Sequence, residues 1–303
     1  MSERNFRQLL TERQRETNSV LCVGFDPTPD KLPAIVRRCT PSLQAAMLLW
    51  MKEIFDATAP FMSLAKPNHA FWERFDGTRE LTHLIAHMHY KKPGIPVFLD
   101  CKRGDIGNTQ EQYRIGHFDL EGVDGMNYNG YMGDDTLKAL IDKNHPGRSL
   151  VGLGRTSNPS AWKIQDLMLD NGQQVWERMV FEILLWSEEL GVLDNAGVVM
   201  GAAHANPAKD KNPPIYARHL VRAREIARKR LWFLIPGIGT QGGFVEETII
   251  SAFAGAGTIA INSSSGIIFA SQGDDFAEAA AREAEKLMLQ MRNAGADCLK
   301  ETA

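Results

Sequence analysis

Eight short apolar runs, separated by longer segments with helical spacing of apolar residues, constrain the fold of this 303-residue chain more than any other feature. A short apolar run bounded by turn residues is typical of a buried strand. Strands that alternate with helices predict parallel βα units. The runs lie at 19–25, 61–66, 95–99, 124–129, 149–154, 196–201, 231–235 and 258–261.

Eight successive βα units predict a single (β/α)8 TIM barrel, an α/β fold. A doubly wound open sheet is the alternative that the strand pattern leaves open. Extra helices are expected at the N-terminus (3–16) and in insertions, and no low-complexity linker interrupts the chain, so residues 1–303 are predicted to form one domain. The other predicted helices lie at 41–58, 76–90, 134–143, 172–190, 215–229, 244–254 and 275–293.

The composition of the chain limits the kinds of molecule that it is expected to bind. The formal net charge is -3 and no long basic run occurs, which argues against nucleic acid and membrane surfaces as partners. No segment has the apolar length of a signal peptide core or a membrane span. The four cysteines show neither paired nor metal-type spacing. We therefore expect a cytoplasmic protein with reduced cysteines.

The third apolar run leads directly into two acids and a base: Asp100, Lys102 and Asp105. Side chains alternate along a strand, so Asp100 and Lys102 are expected to face the same side. Buried charges are tolerated when acids and bases alternate and satisfy one another. The spacing alone also fits a strand-end salt bridge on a solvated loop.

Further polar groups follow other predicted strands, at the end of a barrel where active sites lie. Asp26 follows the first strand, Lys66 ends the second, and 155–157 (Arg-Thr-Ser) follow the fifth. A glycine-rich segment at 236–243 follows the seventh strand, and the serine-rich 262–266 follows the eighth. Loops rich in backbone N–H groups in these last two positions suit a phosphate.

These residues carry a resemblance to orotidine 5′-phosphate decarboxylase, in its longer, bacterial-type (type 2) branch. The family motif Asp-x-Lys-x-x-Asp-Ile-x-x-Thr is met by Asp100, Lys102, Asp105, Ile106 and Thr109. The resemblance continues in the segments 24–27, 65–68, 155–159 and 236–243, and so covers nearly the whole chain.

The resemblance implies roles for four catalytic residues. Lys102 would protonate C6 of the pyrimidine as carbon dioxide leaves, and Asp100 would lie against the substrate carboxylate. Lys66 would pair with Asp100. Asp105 would complete the charged array from the neighbouring subunit of a homodimer. The implied reaction makes UMP in de novo pyrimidine biosynthesis, with no cofactor and no metal.

The resemblance also implies a substrate-binding set. Asp26 would bind the ribose hydroxyls, Ser157 would hold the pyrimidine ring, and Pro236 would pack near it. Gln241 would touch the phosphate. The implied set is completed by Ile106, Thr109, Gly242, Ser265 and Gly266.

Two alternatives stay open: the carboxylates alone would also suit Mg²⁺, and one residue departs from the family pattern. The family usually places a phosphate-binding arginine at the position of Ser265. One alternative is an Mg²⁺-dependent sugar-phosphate decarboxylase or aldolase of the same barrel superfamily. Another is a non-catalytic nucleotide-binding relative, which the loss of the arginine would favour.

Overall fold

The eight predicted strands form the wall of a barrel in the computed structural model of the chain, which describes residues 4–205, 215–238 and 244–300. All neighbouring strands pair in parallel, in the order β2-β1-β8-β7-β6-β5-β4-β3. Parallel bridges from Ala65 to Val97 and from Asn68 to Asp100 join β2 to β3. The TIM barrel prediction is therefore confirmed over the doubly wound sheet. The strands are β1 Leu21–Phe25, β2 Leu64–Pro67, β3 Phe98–Arg103, β4 Gly125–Tyr128, β5 Ser149–Leu153, β6 Gly197–Val199, β7 Trp232–Ile235 and β8 Ile259–Ser263.

Helices surround this barrel, and several begin at a side-chain cap. The Ser42 hydroxyl, for example, accepts the amide N–H of Ala45 at the start of α3. None of the helices in the described ranges is both long and apolar enough to cross a membrane. The α-helices are α1 Phe6–Thr17, α2 Ala34–Arg38, α3 Leu43–Thr58, α4 His69–Glu73, α5 Thr78–Lys91, α6 Gly107–Arg114, α7 Asp135–Lys138, α8 Val175–Glu189, α9 Arg218–Ala227, α10 Val245–Ala252, α11 Ser265–Ile268 and α12 Phe276–Asn293.

The structure corrects several predicted boundaries, and three of the corrections have a clear physical cause. The third strand lies at Phe98–Arg103 rather than 95–99, because pairing with β4 continues to Arg103, so Asp100 and Lys102 lie within the strand. The helix predicted at 134–143 ends at Lys138, after which amides bond three residues back in tighter turns. The helix predicted at 215–229 begins at Arg218, because 215–216 pair with 204–205 in a short antiparallel ribbon.

The expected N-terminal helix seals one end of the barrel. Alternate strand residues point inward to form a small inner core, and Phe6 and Leu10 of α1 pack against it. The Phe6 ring stacks on Trp232 with 5.1 Å between ring centroids. The opposite end, where the strands finish, is left for polar side chains.

Candidate active site

A cavity of about 630 Å³ lies at the carboxyl ends of the barrel strands. Strands and the loops that follow them supply its walls, as expected for a barrel whose other end is sealed. The predicted site residues that line it are Asp26, Lys66, Asp100, Lys102, Ser157, Pro236 and Ser265.

One carboxylate between two ammonium groups forms the charged centre of this cavity. Lys66 Nζ lies 3.2 Å from Asp100 Oδ2, and Lys102 Nζ lies 2.5 Å from Asp100 Oδ1. The bridge between β2 and β3 at Asn68 and Asp100 brings the two strand ends together. Lys66 is only 3% exposed, whereas half of the Lys102 side chain is exposed.

The pairing fixes the charges of these groups. Burial alone would raise the pKa of the Asp100 carboxyl, but Lys66 and Lys102 outweigh it and hold that pKa well below its ordinary value. Burial alone would lower the pKa of Lys66, yet the carboxylates of Asp100 and Asp26 raise it above its ordinary value. Asp100 is therefore an anion, and Lys66 a cation, at neutral pH.

Asp26 lines the cavity, and a serine hydroxyl holds its carboxyl in place. Its Oδ2 accepts the Ser264 hydroxyl at 2.7 Å, while the buried Oδ1 has no hydrogen-bond partner within the described ranges. A Cβ on Gly24 would lie 1.7 Å from Ser264 Oγ, so only glycine leaves room for this contact. Burial raises the pKa of Asp26. Oδ1 is thus a buried acceptor whose hydrogen-bonding capacity is not met by the described residues.

The loop after β5 is held rigidly where it borders the cavity. Buried Arg155 donates two hydrogen bonds, both at 2.9 Å, to the carboxylate of Asp166. Gln165 accepts the amide N–H of Thr156 and donates to its hydroxyl. These contacts position the adjacent Ser157 at the cavity wall.

Several predicted site residues are not brought into the cavity of their own chain. Asp105, Ile106 and Thr109 do not line it; Asp105 Oδ1 instead accepts the amide N–H of Ile106 at 2.9 Å. Gly266 neighbours the lining residue Ser265 in α11 without lining the cavity itself. The predictions for Gln241 and Gly242 fall outside the described residues.

Sequence reasoning missed several polar lining residues. Asn127 lies within strand β4, and an amide side chain in an otherwise apolar run was the available signal for it. Asn68, Asn262 and Ser264 fall in segments that the sequence singled out, but none of the three was assigned a role of its own. Asn127 proves to contact the charged centre directly, since its Nδ2 donates to Asp100 Oδ1 at 2.8 Å.

Two groups of three potential metal ligands occur among the described residues, and neither lines the cavity. His69, His117 and Glu121 form the buried group. Arg103 Nε donates to His117 Nε2 at 3.0 Å, and His117 Nδ1 lies 2.8 Å from Glu121. Both ring nitrogens of His117 are thus already engaged. The second group is Asp119, Asp142 and His145.

Comparison with known proteins identifies the family of the chain. The family model described as Orotidine 5′-phosphate decarboxylase / HUMPS matches residues 19–282. The chain is 35% identical, over 281 residues, to an orotidine 5′-phosphate decarboxylase of Aromatoleum aromaticum, an alignment that covers 92% of this chain and 96% of that protein. The chain belongs to the orotidine 5′-phosphate decarboxylase family.

Other orotidine 5′-phosphate decarboxylases agree in sequence and in fold. The Haloarcula marismortui protein is 37% identical over 296 residues, covering 93% of this chain and 97% of its own. The solved OMP decarboxylase of Leishmania donovani has a TM-score of 0.74 at 27% identity, covering 96% of this chain and 98% of its own. Membership makes the chain a carboxy-lyase of pyrimidine biosynthesis.

Proposed function

We propose that this enzyme converts orotidine 5′-phosphate to UMP and carbon dioxide without a metal or an organic cofactor. The observation that carries the proposal is the Asp100 carboxylate held between the ammonium groups of Lys66 and Lys102 inside the cavity. The lysine ammonium groups held beside Asp100 supply a fixed positive charge and a transferable proton at one place in the cavity.

Lys102 is the proposed electrostatic stabiliser and acid. When the bond between C6 and the carboxylate breaks, its electron pair stays on C6 and carbon dioxide departs. An ammonium group beside C6 stabilises that developing charge and then transfers a proton from Nζ to C6. Asp100 would crowd the substrate carboxylate and so raise the energy of the bound ground state. Lys66, almost fully buried, holds Asp100 in place.

The remaining cavity residues would grip the parts of the nucleotide that do not react. The carboxyl of Asp26, a lining residue, suits a ribose hydroxyl, and Ser157 and Pro236 border the space for the pyrimidine ring. The phosphate would bind near Ser265 and Gly266, with Gln241 and Gly242 completing the set. Binding energy from the distant phosphate can help to organise the reacting end.

A homodimer would complete the site. Asp105, Ile106 and Thr109 do not line the cavity of their own chain, and Ile106 is 48% exposed. In the proposed dimer these residues reach the neighbouring subunit's cavity, and Asp105 approaches its half-exposed Lys102. Burial in the dimer would also remove Ile106 from water.

Neither alternative function is favoured by the geometry. An Mg²⁺ site would need free carboxylate oxygens, whereas both oxygens of Asp100 already contact lysine ammonium groups. A non-catalytic nucleotide-binding protein would have no use for a buried lysine beside two carboxylates, an arrangement that is costly to maintain.

The test is to incubate the purified chain with orotidine 5′-phosphate and to measure UMP and carbon dioxide, with EDTA in one series and added Mg²⁺ in another. We expect equal turnover in both series. Activity only on adding Mg²⁺ would favour the sugar-phosphate enzyme class, and UMP binding without turnover would favour the non-catalytic relative.

A further inference from the structure

Strand β3 bulges where it carries the charged residues. Leu99 is opposite Met126 and Arg103 is opposite Tyr128, so the three residues 100–102 face a single residue of β4, Asn127. Bulges redirect side chains and leave ladder hydrogen bonds unmade, and they are frequent beside active sites. Something other than the β4 backbone must therefore hold this part of β3.

The Asn127 side chain supplies hydrogen bonds that hold this part of β3. Its Oδ1 accepts the amide N–H of Cys101 at 2.8 Å and that of Lys102 at 2.6 Å, while its Nδ2 donates to Asp100 Oδ1 at 2.8 Å. Two backbone donors on one side and a carboxylate on the other leave only this orientation of the amide. Asn127 is 1% exposed, so water does not compete with these bonds.

The backbone at Lys102 needs such support. Its φ is 48°, in the left-handed region that side chains other than glycine enter at a cost in free energy. Consecutive N–H groups that converge on one acceptor are characteristic of a turn of this kind, because in a regular strand they point to opposite sides. Asn127 thus stabilises the conformation from which Lys102 Nζ reaches Asp100.

We propose that Asn127 is a positioning residue for the decarboxylation, acting through Lys102 and Asp100 rather than on the substrate. One end of its amide fixes the backbone of the proton donor, and the other end orients the neighbouring carboxylate. This inference rests on the proposed function for the reaction itself, but its geometric content concerns only the contacts of Asn127 with β3.

The decisive variant is N127D. When the introduced carboxyl is ionised, it still accepts the two backbone N–H groups but repels Asp100. When it is protonated, it matches the asparagine, because its hydroxyl can donate to Asp100. The charged groups around it are Asp100 and Lys102 of β3 and, beyond Asp100, Lys66 of β2. We expect kcat at pH 8 to fall by about 100-fold, as for a misplaced catalytic group, with little change in KM.

The informative readout is the pH profile of kcat relative to the unaltered enzyme. N127D should regain activity as the pH falls towards about 5, because the introduced carboxyl becomes protonated beside Asp100. N127L, which can form none of the three hydrogen bonds, should lose activity at every pH. A purely structural role for Asn127 would produce no recovery at low pH.

Asn195 provides the matched control, since it is also buried but lies before β6, near the sealed end of the barrel. Its Oδ1 accepts the amide N–H of Arg7 at 2.9 Å. N195D should lower thermal stability without altering the pH profile of kcat. Wild-type kcat in N127D at all pH values, or a loss that does not recover in acid although UMP still binds, would overturn the proposal.

A failure of the proposed reaction would be recognised separately, because the unaltered enzyme would then show no turnover. In that case a crystal structure of N127L tests whether Asn127 positions the backbone of Lys102. Loss of the positive φ at Lys102 supports the positioning role, whereas an unchanged bulge overturns it.

Discussion

At the scale of single residues, the site depends on charges that compensate one another at short range. Asp100 contacts two cations, and Lys66 remains charged inside the barrel only because carboxylates surround it. Removing one member of such a group leaves the others buried without a partner. Substitution of a charged residue of this group should therefore affect folding and catalysis together. Substitution of a neutral residue that lines the cavity should affect catalysis alone.

Ser265 is such a neutral residue. In the described part of the chain, the cations that line the cavity are Lys66 and Lys102, both at the reacting end. A charged contact to phosphate contributes on the order of 2–3 kcal/mol. We expect S265R to raise kcat/KM for orotidine 5′-phosphate by roughly tenfold or more, measured by steady-state kinetics.

The control for S265R is Q272R, which adds the same charge at an exposed position that does not line the cavity. Q272R should leave kcat/KM unchanged. No gain from S265R would show that the phosphate is held adequately by other groups.

At the scale of elements, the end of β3 and the turn after it serve two different cavities in the proposed dimer. Lys102 lines the cavity of its own chain, whereas Asp105, three residues later, does not. Lys102 lies in the bulge at 100–102, and Gly104 lies between it and Asp105 in the turn that follows. A single short motif would thus contribute to two active sites related by two-fold symmetry.

This division predicts complementation between inactive variants. We expect a heterodimer of one K102A subunit and one D105A subunit, purified through two different tags, to recover about half of the wild-type turnover, because one of its two sites keeps both residues. Each homodimeric variant should be nearly inactive.

A heterodimer of K102A with D100A is the matched control, because both changes affect the cavity of their own chain and leave neither site intact. It should recover no activity. If the K102A–D105A heterodimer also recovers none, Asp105 does not act across a subunit interface.

At the scale of the whole molecule, the two ends of the barrel have separate tasks. The open end holds the cavity, and the sealed end holds a buried ion network around Asp124. The Asp124 carboxylate contacts Arg4, His89 and Arg148 and accepts the amide N–H of Val97. We therefore expect the sealed end to contribute to the loss of stability in acid.

The ionised carboxylate of Asp124 stabilises the folded state. Burial alone would raise the pKa of Asp124, but hydrogen bonds from His89 and Arg4 lower it from 3.8 to about 2. Because the folded pKa is depressed, the contribution is present above about pH 4 and is lost as the pH falls towards 2. That shift corresponds to about 2 kcal/mol. D124N should lose at least this stability at pH 7 in urea unfolding.

The acid dependence provides the control for that prediction. Between pH 4 and pH 2 the stability of D124N should fall less steeply than that of the unaltered enzyme. D170N, which neutralises an exposed carboxyl, should behave like the unaltered enzyme at every pH. Equal slopes for D124N and the unaltered enzyme would contradict the role of the network.

The sequence predicted the barrel because strand and helix periodicity are local signals. It also predicted Asp100 and Lys102 on one side, where both line the cavity, but the bulge and the positive φ at Lys102, rather than regular strand alternation, place Lys102 there. The bulge at 100–102 was missed, since it arises from pairing with β4, and so was the support that Asn127 gives it. The contact of Ser264 with Asp26 joins the two ends of the chain. No local pattern could reveal it.

The most direct test of metal-free catalysis by Lys102 is turnover of orotidine 5′-phosphate, followed by ultraviolet absorbance with EDTA present, in the unaltered enzyme, K102A and K143A. Lys143 is an exposed lysine and serves as the control. We expect metal-independent turnover in the unaltered enzyme and K143A, and a rate lower by on the order of 1,000-fold in K102A. Turnover abolished by EDTA, or a K102A rate close to that of the unaltered enzyme, would contradict metal-free catalysis by Lys102.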